Sequence, residues 1–179
     1  MGSDEPSTLI IPICQADREM VDWLLARGVD TNSRYAWDLT PISHAMLAAP
    51  LDLIDYLFSR GANHHCGQLL HWAVIRDKDD ALQVVRRVVE LGVPINEIKY
   101  ENDPPGWSAR KWFDLGTPLH RAAELGKLEI VRYLLEVGAN PVKLDTKGKT
   151  PQYWAEKNKF TETALILKEA EERQLDIQC

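Results

Sequence analysis

The sequence predicts an all-α solenoid, a stack of about five helix–turn–helix units. The first observation is a recurring spacing, because Pro118 and Pro151 lie 33 residues apart and so do Gly28 and Gly61. The second is that apolar residues within 130–135 follow the spacing of a helix with one buried face. A repeat of this length indicates a solenoid, since each short unit can bury its apolar face only against its neighbours.

The clearest unit is the segment 116–140, which reads GTPLHRAAELGKLEIVRYLLEVGAN. Thr117 can cap a helix with its hydroxyl, and Pro118 suits the first helical position. Gly138 follows the second apolar stretch, where a left-handed residue usually ends a helix. This segment therefore predicts two short helices joined by a tight turn.

Shorter copies of this pattern predict the other units. They recur at 148–151, 24–28, 57–61 and 88–92. The first unit is the least regular. Because Pro12 sits badly inside a helix, the first element of this unit is expected to start late or to be irregular. The third unit carries extra residues at 76–80, between its two helices. The polar run at 168–173 suits the outer face of a terminal unit.

The pattern resembles the ankyrin repeat over residues 8–170. The resemblance implies units at about 8–30, 31–63, 64–96, 116–141 and 149–170. It also leaves an aromatic insertion near 97–115 and polar tails at 1–7 and 171–179. Ankyrin proteins hold protein partners on a concave side, built from the loops between units and the exposed edge of each first helix. The resemblance therefore implies a protein-binding module.

Eight residues match the family's structural motif at the start of the first helices. The resemblance implies that each motif histidine hydrogen-bonds the backbone of neighbouring loops, and that Ser43 and Tyr153 replace it in two units. The motif residues are Thr40, Pro41, His71, Thr117, Pro118, His120, Thr150 and Pro151.

The insertion is the most aromatic stretch of the chain. Pro104, Pro105 and Gly106 are expected to prevent a continuous helix there. Long loops are commonly functional or disordered, and this one is too aromatic for disorder. Either its side chains contact a partner, or the tryptophans fold back and fill the gap between units. The candidate binding residues are Tyr100, Trp107, Arg110, Lys111 and Trp112.

A second candidate set follows the motif position in successive units. The residues directly after that position are His44, Trp72, Arg121 and Trp154. The family places this position toward the concave side, where the four would form a stripe, and the first loop adds Arg34, Tyr35 and Trp37. Aromatic and basic groups together suit a partner segment of acidic or mixed character. The alternative is that Trp72 and Trp154 pack between helices.

The composition argues against several other classes of protein. The net charge of −6 argues against nucleic acid as the main partner, and no apolar run is long enough to span a membrane. Cys14, Cys66 and Cys179 form no disulfide framework, so an intracellular and cytoplasmic location is expected, with a nuclear one left open. The run 64–66 lacks metal-site spacing. We expect no metal, cofactor or catalytic residue.

The sequence thus favours a protein-binding module or adaptor. The alternative is an unusual enzyme or a small-molecule binder, with a pocket formed by the insertion against the concave face at Trp72 and Arg121. Whether the chain is an enzyme stays undecided at this point, with the absence of a catalytic motif pointing against it.

Overall fold

The computed structural model describes residues 7–35 and 37–178, and its regular structure there is helical. The one β feature within these ranges is an isolated antiparallel bridge between Tyr35 and Leu39. The helices are α1 Ile10–Cys14, α2 Arg18–Ala26, α3 Pro41–Ala48, α4 Leu51–Ser59, α5 Leu69–Ile75, α6 Ala81–Glu90, α7 Pro104–Arg110, α8 Pro118–Glu124, α9 Leu128–Glu136, α10 Pro151–Lys157 and α11 Thr161–Gln178. The predicted all-α fold class is confirmed.

The chain divides into two compact units between Val93 and Pro94. The first unit contains three helix pairs, α1–α2, α3–α4 and α5–α6, and its first helices pack in order, with α3 between α1 and α5. Ile13, Ile42 and Leu69 are buried in these first helices. Each short helix therefore gains its buried surface from its neighbours, as a repeat architecture requires.

The second unit contains α7 and two further helix pairs, α8–α9 and α10–α11. Helix α8 packs against α10, and α9 packs against α11. Leu119 in α8, Leu134 in α9 and Leu167 in α11 are fully buried. The five pairs of the two units correspond in sequence to the five predicted repeats.

Local chemistry fixes where the helices begin and end. The Thr40 hydroxyl accepts a hydrogen bond from the Ser43 amide, and Pro41 opens α3, where a helix needs no amide donor. Asp17 caps α2 in the same way. Gly138 follows α9 with φ of +96°, a conformation that glycine adopts without a steric penalty.

Pro12 is compatible with a helix because α1 is so short. It is the third residue of α1, within the first turn, where backbone amides have no partner inside the helix. Helix α1 begins at Ile10, before Pro12, so the proline does not delay its start.

Pro104, Pro105 and Gly106 do not exclude a helix altogether, since no helix runs on through them from the preceding residues but a short one begins there. Helix α7 begins at these residues, with the two prolines in its first positions and the Asp103 carboxylate accepting a hydrogen bond from the Gly106 amide at 3.0 Å. Prolines break a helix interior, but the first turn tolerates them.

The sequence predicted a tail at each end of the chain. Residues 1–6 of the N-terminal tail lie outside the described part of the chain. The range 171–178 continues helix α11 as far as Gln178, so it is helical there.

In the described ranges, no helix combines the length and apolar character needed to cross a bilayer.

Candidate functional site

The motif histidine of the fourth repeat connects two turns. The Nδ1 atom of His120 accepts a hydrogen bond from the Thr117 amide at 3.0 Å, and Nε2 donates to the Lys149 carbonyl at 3.1 Å. Gly116 leaves room for this ring, because a Cβ there would lie 2.6 Å from the His120 side chain. These hydrogen bonds are contacts of the kind that the resemblance implies for a motif histidine. Burial lowers its pKa, although the Lys149 carbonyl opposes that shift.

Ser43 does the same work in the second repeat with a smaller side chain. Its hydroxyl donates to the Gly67 carbonyl at 2.7 Å and accepts from the Thr40 amide at 3.2 Å. The turn thus keeps the two bonds that the motif histidine would make. His71 is also buried at its motif position in the third repeat, and Thr150 and Pro151 begin α10.

The loop that carries Arg34, Tyr35 and Trp37 is ordered by contacts within the first unit. The rings of Tyr35 and His44 stack with centroids 5.7 Å apart, and the tyrosine hydroxyl hydrogen-bonds the imidazole. Burial lowers the pKa of His44. Arg34 is exposed and its Nε lies 3.5 Å from the Asp38 carboxylate. Three of the predicted residues are therefore held by defined contacts in this loop.

Trp37 stands out in the same loop because its backbone is strained. Both Trp37 and Asp38 have positive φ, at +59° and +57°, a region that costs side-chain-bearing residues about 1 kcal/mol each. The Asp38 carboxylate accepts a hydrogen bond from the Gly67 amide at 2.9 Å, which holds this conformation. The Trp37 side chain is 42% exposed. A strained loop that presents an aromatic ring to solvent is typical of a binding site.

Half of the insertion folds inward as a small core. Tyr100 is buried together with Ile98 and Leu115, and Trp107 packs against this cluster. Tyr100 adopts a positive φ of +66° to reach it. The second interpretation of the sequence was that the tryptophans fold back, and it did not include Tyr100. Trp107 does pack back onto this cluster. For Tyr100 and Trp107 the structure favours that packing role.

Backbone and side-chain hydrogen bonds hold the two ends of the insertion in place. The Lys99 amide donates to the Gly116 carbonyl at 3.1 Å. The Leu115 amide donates to the Thr146 hydroxyl at 3.0 Å, and that hydroxyl donates to the Phe113 carbonyl at 2.6 Å. The segment from 99 to 116 is therefore an ordered platform within the second unit.

The other half of the insertion faces solvent. Trp112 is 72% exposed and Phe113 is 59% exposed. The Lys111 ammonium lies 5.1 Å from the Trp112 ring centroid, and the Arg110 guanidinium lies 5.7 Å from that of Phe113. We call these two aromatic residues, with Arg110 and Lys111, the insertion tip. Phe113 lies within the aromatic insertion but was not among the candidate binding residues chosen from the sequence.

The residues of the predicted stripe differ in exposure. Trp154 is only 8% exposed, and its indole nitrogen donates to the Asp145 carboxylate at 2.8 Å, so it packs inside the second unit. Trp154 is therefore not an exposed binding residue, which corrects that part of the sequence prediction. Trp72 is half-buried. Arg121 is exposed and pairs with Glu124 in the next turn of α8. Alignment of the stripe residues stays a prediction.

Two features bear on other kinds of site. In the part of the chain that the structure describes, no group of three or more His, Cys, Asp or Glu side chains is arranged to hold a metal ion. An open groove lies between α9 and α11, lined by Leu135, Ile166 and Ala170, with Arg132 and Arg173 also contributing. This groove does not include the insertion tip.

Comparison with known proteins finds a family model and several similar proteins. A family model described as ankyrin repeats, in three copies, matches residues 99–178. Diacylglycerol kinase zeta of Rattus norvegicus is 33% identical over 63% of this chain, and ankyrin repeat and SOCS box protein 11 of Homo sapiens is 25% identical over 73%. The fowlpox virus protein FPV022, named for ankyrin repeats, is 49% identical over 48%.

The matched regions are small parts of those proteins. They cover 11% of the kinase, 36% of the human protein and 14% of the viral one. No activity named for the larger proteins is therefore assigned to this chain by these matches. The family match over residues 99–178, the helix pairs and the His120 turn together show that this part of the chain is similar to ankyrin repeats.

Proposed function

We propose that this chain is a protein-binding module whose partner contacts the insertion tip. Ankyrin repeats are generally protein-interaction modules. The observation that carries the proposal for this chain is the exposure of Trp112 and Phe113 on an ordered base. Burying two large aromatic rings against a partner releases water from apolar surface, and such residues with arginine dominate protein interfaces.

The order of the platform supports a binding role. Tyr100 and Trp107 anchor the insertion from below, and Thr146 ties its end to the next turn. A partner would therefore meet a tip whose backbone is already fixed, so that little conformational entropy is lost on binding. The role of the tip and the role of its anchors are separate, which makes them separable by mutation.

The first unit offers a second candidate contact at Arg34, Trp37 and His44. An exposed tryptophan in a strained loop would suit a partner segment there. With one contact in each unit, the chain could join two partners, which is the adaptor role.

Free Cys14 and Cys66 among the described residues support an intracellular, cytoplasmic location.

The alternative of an enzyme or small-molecule binder has less support. It requires a closed pocket at the insertion with converging polar groups. The most prominent side chains of the insertion instead point into solvent. We therefore favour a protein partner.

The experiment compares partner capture by three tagged versions of the full chain. Wild type, Trp112→Ala and Leu144→Ala would be used for capture, followed by mass spectrometry. Leu144 is a matched control because it is an exposed apolar residue of the same unit. A protein captured by wild type and Leu144→Ala but lost with Trp112→Ala supports the proposal. Equal capture by all three would contradict it.

A further inference from the structure

The last helix pair of the second unit carries a second open groove, between α10 and α11, which we call the α10–α11 groove. Its volume is about 440 Å³. Ala164, Leu165 and Lys168 line it from α11, where residues three and four positions apart share one helix face. Gln152 and Glu156 line it from the facing side of α10. The insertion tip does not contribute to this groove.

The α11 side of the groove offers an apolar surface that water can reach. Leu165 is 56% exposed, whereas Leu167, two positions further along α11, is fully buried in the fold. Ala164 beside Leu165 adds only a methyl group, so the leucine side chain is not covered from that position. An apolar side chain of a partner that covers Leu165 would remove apolar surface from water.

Two lysines place positive charge along the same groove. Lys159 lies in the turn between α10 and α11, and Lys168 lies about 10 Å along α11 from its first residue, at a rise of ~1.5 Å per residue. Within the described part of the chain, neither ammonium group is joined to a carboxylate. Both charges are therefore available to a partner.

The carboxylates near the groove leave this positive excess in place. Glu156 is the one carboxylate among the described lining residues, and it accepts a hydrogen bond from the Gln152 side chain at 2.6 Å. Glu162 accepts one from Arg132 on α9 at 3.2 Å. Glu172 follows Lys168 by one turn of α11 but does not line the groove. Two ammonium groups thus face one carboxylate that is already hydrogen-bonded.

We propose that the α10–α11 groove binds an acidic segment of a protein partner. One large apolar side chain of that segment would cover Leu165, and Asp or Glu residues on either side of it would lie near Lys159 and Lys168. Charge complementarity carries this proposal, because an apolar contact between two ammonium groups selects an apolar residue with acidic neighbours. The groove is open along one side, which suits a side chain of a larger partner better than a small molecule that buries most of its surface.

This contact is additional to the insertion tip, and its test does not depend on the function proposed for the tip. The probe is a phage-displayed library of random peptides, selected against the full chain. Peptides bound by wild type would be screened against Leu165→Ser and against the control Leu175→Ser. Leu175 is a matched control because it is 53% exposed on the same helix and does not line the groove.

We expect a set of peptides that bind wild type and Leu175→Ser but not Leu165→Ser. In that set, a large apolar residue should be flanked by Asp or Glu. A set that depends on Leu165 but lacks acidic residues would overturn the proposed partner chemistry. Selection without any peptide that depends on Leu165 would overturn the site itself.

Calorimetry then measures the contribution of the two lysines. A selected peptide and its copy with Asn and Gln in place of Asp and Glu would be titrated into wild type, Lys159→Gln, Lys168→Gln and the control Lys147→Gln. Wild type and Lys147→Gln should bind the acidic peptide about tenfold more tightly than the copy. Combining Lys159→Gln with Lys168→Gln should reduce this ratio to about twofold or less, with each single variant between the two values.

An unchanged ratio in the double variant would overturn the proposal. If that variant fails to fold, Lys168→Gln alone decides, because Lys168 is an exposed helical residue. Salt gives an independent readout, since the affinity for the acidic peptide should fall as the ionic strength rises while the affinity for the neutral copy should not. Equal salt dependence of the two peptides would contradict the role of the lysines.

Discussion

The guanidinium of Arg76 and the carboxylate of Asp80 form a two-point ion pair inside the first unit, with Nε–Oδ1 at 2.6 Å and Nη2–Oδ2 at 2.7 Å. The Arg76 side chain is fully buried and also donates to the Met46 carbonyl at 3.1 Å. The extra residues 76–80 of the third repeat are thus fastened to the preceding repeat. A buried guanidinium needs such partners because desolvation of an unpaired charge is costly.

Removing the carboxylate of Asp80 should destabilise the fold. Asp80→Asn leaves the buried Arg76 without its anion, and we expect the free energy of unfolding to fall by about 2 kcal/mol, since Asp80 is itself partly exposed. Urea unfolding followed by circular dichroism measures this change. The neighbouring Asp79→Asn is the control, because Asp79 is exposed, and it should change stability by less than about 0.5 kcal/mol. Equal effects of the two variants would show that the ion pair contributes nothing.

His120 should make stability depend on pH. Its pKa in the folded protein is lowered from 6.5, so the folded state resists the proton that the unfolded state accepts. Stability from this group is present above pH 6.5 and is lost as the pH falls through the folded pKa. His120→Gln should therefore cost about 1–2 kcal/mol at neutral pH.

That cost should shrink on acidification, because only wild type loses the contribution of a neutral imidazole. Urea midpoints of both proteins above pH 6.5 and well below it provide the comparison. A cost that grows as the pH falls would mean that the sign of the pKa shift is wrong.

The repeat was predictable from sequence because its chemistry is local. Thr117 and Pro118 identify the start of α8 through capping and backbone geometry, and Gly138 marks the end of α9 through its positive φ. These signals act within a few residues of each other. For the same reason, the repeating pattern could be recognised without knowledge of any tertiary contact.

The insertion was only partly predictable because its order depends on distant contacts. Asp103 turns a proline pair into a helix start, which the sequence interpretation missed. Tyr100 is buried while Trp112 is exposed, and no periodicity in the loop separates the two aromatic residues.

Local stability should follow agreement with the repeat pattern. The fourth repeat agrees most closely, whereas the second and third have a short connecting loop and the extra residues 76–80. In a repeat protein, protection from hydrogen exchange follows local stability and neighbour contacts. Amide exchange should therefore be slower in 117–136 than in 40–60, as measured by mass spectrometry. Equal protection of both segments would show that Ser43 and its turn replace the motif histidine without loss of local stability.

The two tryptophans of the insertion provide the most direct test of the central claim. Trp107 packs on the buried cluster and Trp112 faces solvent, so alanine should affect different quantities at the two positions. Trp107→Ala should lower the free energy of unfolding by about 2 kcal/mol, because it removes packing beneath the platform. Trp112→Ala should leave it unchanged within about 0.5 kcal/mol.

The deciding measurement is the affinity of Trp112→Ala for a captured partner, determined by calorimetry on protein shown to be folded. We expect binding to weaken by about 2 kcal/mol or more, as for a tryptophan at the centre of an interface. The Leu144→Ala control should bind like wild type. If Trp112→Ala instead lowers stability and keeps the wild-type affinity, the insertion tip is part of the fold and the proposed binding role is wrong.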